Sequence, residues 1–264
     1  MPAPLHGYAR SPFTALGATR DVYRTGSGPA VIVISEIPGI TPNVAEFGRR
    51  VASIGCTAVL PHLFGIPGAE PTVGNALKVA AHACISREFS TFALRRTSPI
   101  TAWLRVLATA SRDEYGGPGV GAVGMCLTGG FALAMMVDEV VLAPVLSQPS
   151  LPFALGAARK GDVGVSDGDL DRARQRCDNE DLCVLGLRFT GDKAVPAERF
   201  QRLRDALGDH FVAVEIDSST GNADGYRKTA HSVLTEDLKD EPGTATRAAL
   251  DQVLDLFRAK LLVP

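Results

Sequence analysis

From Gly116 to Val137 the chain runs for 22 residues without a charged side chain. A helix of about 20 apolar residues is long enough to cross a bilayer. This stretch, however, holds seven glycines and Pro118, which cost a helix interior ~1 and ~3 kcal/mol apiece. It divides instead into a β-rich piece, Val120 to Met125, and a piece apolar on every side, Leu127 to Val137, which reads as a buried helix. Between them stands Gly124-Met125-Cys126-Leu127-Thr128-Gly129-Gly130. A strand–turn–helix unit this apolar must be covered by other elements, so the rest of the chain has to supply a sheet and flanking helices.

The rest of the chain has that pattern. Ala30 to Ser35 is a continuous apolar run, as expected of a parallel strand buried on both faces. Thr41-Pro42 reads as a helix start and Gly55 as its end, with a strand at Cys56 to Leu60. Residues 72–113 read as helix in two pieces broken near Thr97-Ser98-Pro99. Further strands are expected at Val140 to Leu146, Leu182 to Phe189 and Phe211 to Ile216, and helices at Ala197 to Leu207 and Thr244 to Leu261. The hydrophilic stretch around Asp167, Asp169 and Asp171 reads as a solvated helix. The first 29 residues read as a hairpin, with strands at Phe13 to Leu16 and Asp21 to Arg24. One three-layer α/β domain over residues 1–264 follows, with a mainly parallel central sheet and helices on both faces.

Charge and cysteines bound the function. A net charge of −2 leaves no basic excess for a nucleic-acid surface. Five cysteines without a paired framework suit a reducing compartment. Met1 to Tyr8 carry neither the basic nor the apolar region of a signal peptide, so a soluble cytoplasmic protein is expected, as a monomer or small homo-oligomer.

In a parallel α/β sheet, functional residues gather beyond the carboxyl ends of the strands. Cys126 sits at such an end on a tight turn, where flanking small residues are needed and a helix start favours a thiolate. Inert packing is the competing reading of this cysteine. Its proton needs an acceptor. His231, in the loop after the last strand, is the best placed of five histidines. His6 lies in the tail, His82 within a helix and His210 at the wrong edge of the sheet, while His62 also follows a strand's carboxyl end. Asp192, just past the strand ending at Phe189, could orient the imidazole, although a plain loop role would suit it too. Glu36 follows the apolar strand Val31 to Ile34 and could accept the thiol proton or pair with an arginine.

These positions together resemble the dienelactone hydrolase family, cysteine-dependent members of the α/β-hydrolase fold. The resemblance runs from about Val31 to Leu261 and rests on Glu36-Ile37-Pro38-Gly39, the Gly-x-Cys-Leu elbow, Gly191 to Pro196 and His231-Ser232. It implies Cys126 as nucleophile, His231 as general base and acid, Asp192 as its orienting group, and Glu36 as acceptor of the cysteine proton. The backbone N–H groups of Leu127 and Ile37 would form the oxyanion hole. The implied substrate is a small ester or lactone, with no metal, organic cofactor, nucleic acid or membrane partner. Three positions depart from the family pattern: Thr128 where glycine is usual, His62 where aspartate is usual, and Thr235 where an arginine would clamp a substrate carboxylate. Arg87, Arg95, Arg96 or His62 could contact substrate instead. Alternatives are a thioesterase or acyltransferase using the same cysteine, a non-catalytic ligand-binding member, and a cysteine-elbow amidotransferase. The last requires His-x-Glu, which neither His231-Ser232-Val233 nor His62-Leu63-Phe64 supplies.

Overall fold

The computed structural model describes residues 4–72, 74, 76, 79, 98–150 and 160–262. Eight strands form one sheet: β1 (Ala9–Ala15), β2 (Ala18–Gly26), β3 (Ala30–Ile34), β4 (Thr57–Pro61), β5 (Val120–Met125), β6 (Val141–Ser147), β7 (Val184–Phe189) and β8 (Phe211–Ile216). Their order is β1-β2-β4-β3-β5-β6-β7-β8. The first two are an antiparallel hairpin on the outer edge, and β4 onward run parallel. The helices that concern the site are α1 (Pro42–Ser53), α2 (Pro99–Tyr115), α3 (Gly129–Met135), α4 (Asp167–Glu180), α5 (Ala197–Leu207) and α6 (Ala245–Leu261).

Adjacent residues of β3 enter different cores. Ile32 and Ile34 pack with α2, α3 and α5 residues such as Trp103, Phe131 and Phe200. Val31 and Val33 pack with Phe47 of α1 and Phe257 of α6. All five β3 residues are fully buried, at ~1.5–3 kcal/mol for each large side chain. This double-sided burial is why the strand reads as one apolar run rather than an alternation.

Local chemistry sets the element ends. Thr41 Oγ1 accepts from Val44 N at 3.2 Å, Pro42 occupies the first turn, and α1 exits through Gly55 at φ +93°. Ser98 caps α2 in the same way, 3.1 Å from Thr101 N, so a helix does begin at the expected break; most of 72–97 lies outside the described residues. Several strand ends differ from expectation by one or two residues. The hairpin differs more. Leu16 is not in a strand but in the turn: Leu16 and Gly17 both have positive φ (51° and 77°), the two-residue turn that matches strand twist.

Two expectations about helices need correction. The helix after the elbow is not Leu127 to Val137 but a 3-10 turn, Cys126–Thr128, followed by α3 alone. The hydrophilic α4 is not wholly solvated, since Arg176 is only 1% exposed. One cause links both. Arg176 Nη1 and Nη2 donate to the carbonyls of Met136, Asp138, Glu139 and Val141. Carbonyls of the segment from α3 into β6 are thereby satisfied, and an ion pair to Glu180 accompanies the buried guanidinium.

Candidate active site

Strand register brings the candidate residues to one edge. Ile34 of β3 pairs with Gly124 of β5, so Glu36 and Cys126 each emerge two residues beyond a paired position. β7 delivers Asp192 to the same edge, and the loop between β8 and α6 carries His231.

The elbow has a definite mechanical logic. Cys126 adopts φ +55°, a left-handed conformation unusual for a residue with a side chain. A Cβ on Gly124 would lie 2.1 Å from the Thr128 carbonyl oxygen, so only glycine fits. Thr128 itself is accommodated because its side chain points inward. Its Oγ1 accepts from Met125 N at 2.9 Å, and its one hydroxyl hydrogen is shared between the carbonyls of Met125 at 2.8 Å and Ile34 at 2.9 Å. The expected need for a small residue falls one position later, at Gly129, where a Cβ would sit 2.5 Å from Pro149 Cα. Thr128 therefore links the Cys126 turn to the end of β3.

His231 Nδ1 lies 2.6 Å from Asp192 Oδ2. Asp192 is fixed in turn, its Oδ1 accepting from Ala194 N at 2.9 Å. Asp237 Oδ2 accepts from the backbone N–H groups of His231 (2.8 Å) and Ser232 (3.1 Å), which pins the histidine loop. Burial acts to lower the imidazole pKa. The Cys126 charge and the hydrogen bonds to Asp192 and Cys126 act the other way and prevail, raising it to about 11. The charged, imidazolium form of His231 is thereby favoured.

Glu36 is 2% exposed. Its Oε2 accepts from Ser232 Oγ at 2.6 Å and Gln148 Nε2 at 3.2 Å, and its Oε1 accepts from Thr235 Oγ1. Thr235, at the position where the family pattern places an arginine, thus faces the carboxyl of Glu36. Burial pushes Glu36 above the usual carboxylate range, against the opposing effects of Ser232, Thr235 and the His231 charge. Ile37 follows in the turn Glu36–Gly39, closed by Gly39 N to Glu36 O at 2.7 Å, and Leu127 directly follows the cysteine. His62 Nε2 lies 3.1 Å from the Gly65 carbonyl of its own loop. His210 pairs with Asp178. Arg87, Arg95, Arg96 and His82 lie outside the described residues.

Three contributors escaped the sequence reading. Ser150 Oγ lies 3.1 Å from Cys126 Sγ. Gln148, at φ +37°, links Glu36 to Val233 N. Arg199 is fully buried, its pKa lowered by burial to about 10, and donates to the carbonyls of Asp162, Pro149 and Ala194. It therefore holds the Ser150 and Asp192 loops together. Arg199 alone left a trace in sequence, a charged residue two places into α5 where the apolar face begins.

Comparison with known proteins matches residues 15–261 to the dienelactone hydrolase family. The chain belongs to the dienelactone hydrolase family. A candidate carboxymethylenebutenolidase from Saccharomyces cerevisiae is 26% identical over 193 residues, 72% of this chain and 67% of the yeast protein. Among solved structures, a candidate dienelactone hydrolase from Klebsiella pneumoniae superposes with a TM-score of 0.64 at 18% identity, covering 95% of this chain and 97% of that one. Dienelactone hydrolase from Anabaena variabilis gives 0.62 at 14%, covering 97% and 100%. The architecture is the α/β-hydrolase fold, and the family is one of hydrolases. No helix among the described residues is long and apolar enough to cross a membrane.

Proposed function

We propose that this protein hydrolyses carboxylic esters or lactones of small molecules through a cysteinyl acyl-enzyme. The observation that carries the reading is the 2.6 Å Asp192–His231 bond at the sheet edge where Cys126 stands in an elbow at φ +55°, with the Cys126 charge among the causes that raise the His231 pKa. His231 takes the Cys126 proton, and the thiolate attacks the carbonyl carbon. The oxyanion forms beside the backbone N–H groups of Leu127 and Ile37. His231 then protonates the leaving alcohol, and the acyl-thioester remains. Water, deprotonated by His231, attacks that carbonyl, and the carbon–sulfur bond breaks to release the acid. Thr235 is engaged with Glu36 and offers the substrate no charge, which supports an ester or lactone class broader than one carboxylate-bearing lactone.

The test is Cys126→Ala with p-nitrophenyl acetate and a lactone panel. We expect at least a thousandfold loss of kcat with the fold unchanged by circular dichroism. Full activity in that variant would overturn the assignment of the nucleophile.

A further inference from the structure

Both oxygens of Glu36 are engaged by Ser232, Thr235 and Gln148. Among the described residues, Ser150 places its hydroxyl 3.1 Å from the Cys126 sulfur. We propose that Ser150 is a further catalytic group, its hydroxyl donating a hydrogen bond to Cys126 once that thiol is deprotonated and again when the thiolate leaves the acyl-enzyme. The proposal rests on the cysteine mechanism above.

Ser150 is not a passing surface hydroxyl. It is 9% exposed, and its backbone N–H donates to the Cys126 carbonyl at 2.9 Å, so the two residues are joined twice. The residue before it, Pro149, packs against Gly129 too closely for any Cβ there, and its carbonyl accepts from Arg199 at 2.7 Å. Gln148 N, bonded to the Leu187 carbonyl at 2.7 Å, anchors the start of the same bend to β7. Its side chain is therefore delivered to the sulfur by a fixed backbone.

The chemistry selects a direction for the bond. In the neutral pair either atom can donate. Once the Cys126 proton has moved to His231, the sulfur has no hydrogen and can only accept, so Ser150 must donate. A hydrogen bond made to the charged form favours that form. During attack the sulfur lone pair becomes the sulfur–carbon bond, and the bond from Ser150 weakens. During deacylation hydroxide adds to the thioester carbonyl while His231 keeps the proton taken from water. The carbon–sulfur bond then breaks with its electron pair returning to sulfur, where Ser150 again donates. Ser150 thus promotes two states, the attacking thiolate and the departing one.

The test follows iodoacetamide alkylation of Cys126 against pH, read by mass spectrometry of the Cys126 peptide, in the wild type, Ser150→Ala, Ser150→Thr and Ser150→Val. Loss of the hydroxyl is expected to move the half-maximal alkylation rate up by about one pH unit, a tenfold fall in thiolate at a given pH. Ser150→Thr should stay near the wild type while Ser150→Val, matched in shape, should move with alanine. Coincident profiles for the wild type, alanine and valine proteins would overturn the proposal, and the threonine–valine pair keeps the comparison sound if alanine folds poorly. The readout needs no substrate. A shifted profile in a protein that turns over no ester would leave Ser150 in place and remove the substrate class.

Discussion

Burial acts on Glu36 and His231 through the same desolvation, yet with different outcomes. His231 has charged neighbours that overcome it. Glu36 is faced by neutral hydroxyl and amide donors, with His231 the favourable charge and Glu236 an unfavourable one, and burial prevails. Desolvating a carboxylate costs several kcal/mol, whereas a hydrogen bond returns ~1–3 kcal/mol even to a charged group. A carboxyl whose pKa is raised on folding stabilises the protein below its unfolded value and loses that contribution as pH rises through the folded value. Glu36→Gln removes the titration while keeping a group of the same shape. We therefore expect the difference in Tm, variant minus wild type, to become more positive as pH is raised from about 4.5 toward 8. Differential scanning fluorimetry across that range measures it, and a difference independent of pH would contradict the assignment.

Among the elements, the elbow shows what was legible and what was not. The positions of β3, β5 and α5 follow from local pattern, because apolar runs, glycines and caps act within a few residues. Cys126, Asp192 and His231 could be placed together because a parallel sheet sends every strand end to one edge. Ser150 and Gln148 could not, since they matter only through the bend after β6, which no periodicity encodes. Thr128 was visible as a departure, but its role depends on the Ile34 carbonyl of another strand. Arg176 was hidden for the same reason: its partners are carbonyls about forty residues away. Thr128→Val keeps the shape and removes the hydroxyl. It leaves Met125 N and the Ile34 carbonyl without that partner, a loss of about 1–3 kcal/mol. We expect a lower Tm together with a lower kcat, because the turn bearing Ile37 loses its tie to the Cys126 elbow, while Thr128→Ser restores both. Thermal melts and ester kinetics on the pair test this, and a valine variant with unchanged kcat would separate the elbow from the β3 turn.

Across the whole molecule the site exists only where both cores are intact. Cys56 is buried in the α1–α6 core and Cys177 in the opposite one, and burial raises each thiol pKa to about 11. The single tryptophan, Trp103, donates from Nε1 to the Ala18 carbonyl at 3.1 Å and meets the Phe13 ring at 5.4 Å, so it reports on the outer hairpin. One apolar cluster runs from Ala15 and Val22 of that hairpin to Phe211 at the other edge. The second core shares strands β3 to β7 with the first. Neither face can lose its helices without exposing strands that the other needs, which argues for a single cooperative unit over the chain. The expected outcome in a urea titration is one midpoint for three probes: Trp103 fluorescence, Cys56 labelling and Cys177 labelling by a thiol reagent. Chains of this length can instead unfold through intermediates. Labelling of Cys56 at lower urea than Cys177, or fluorescence change ahead of both, would show a face or the hairpin separating first, and the single-domain reading would fail.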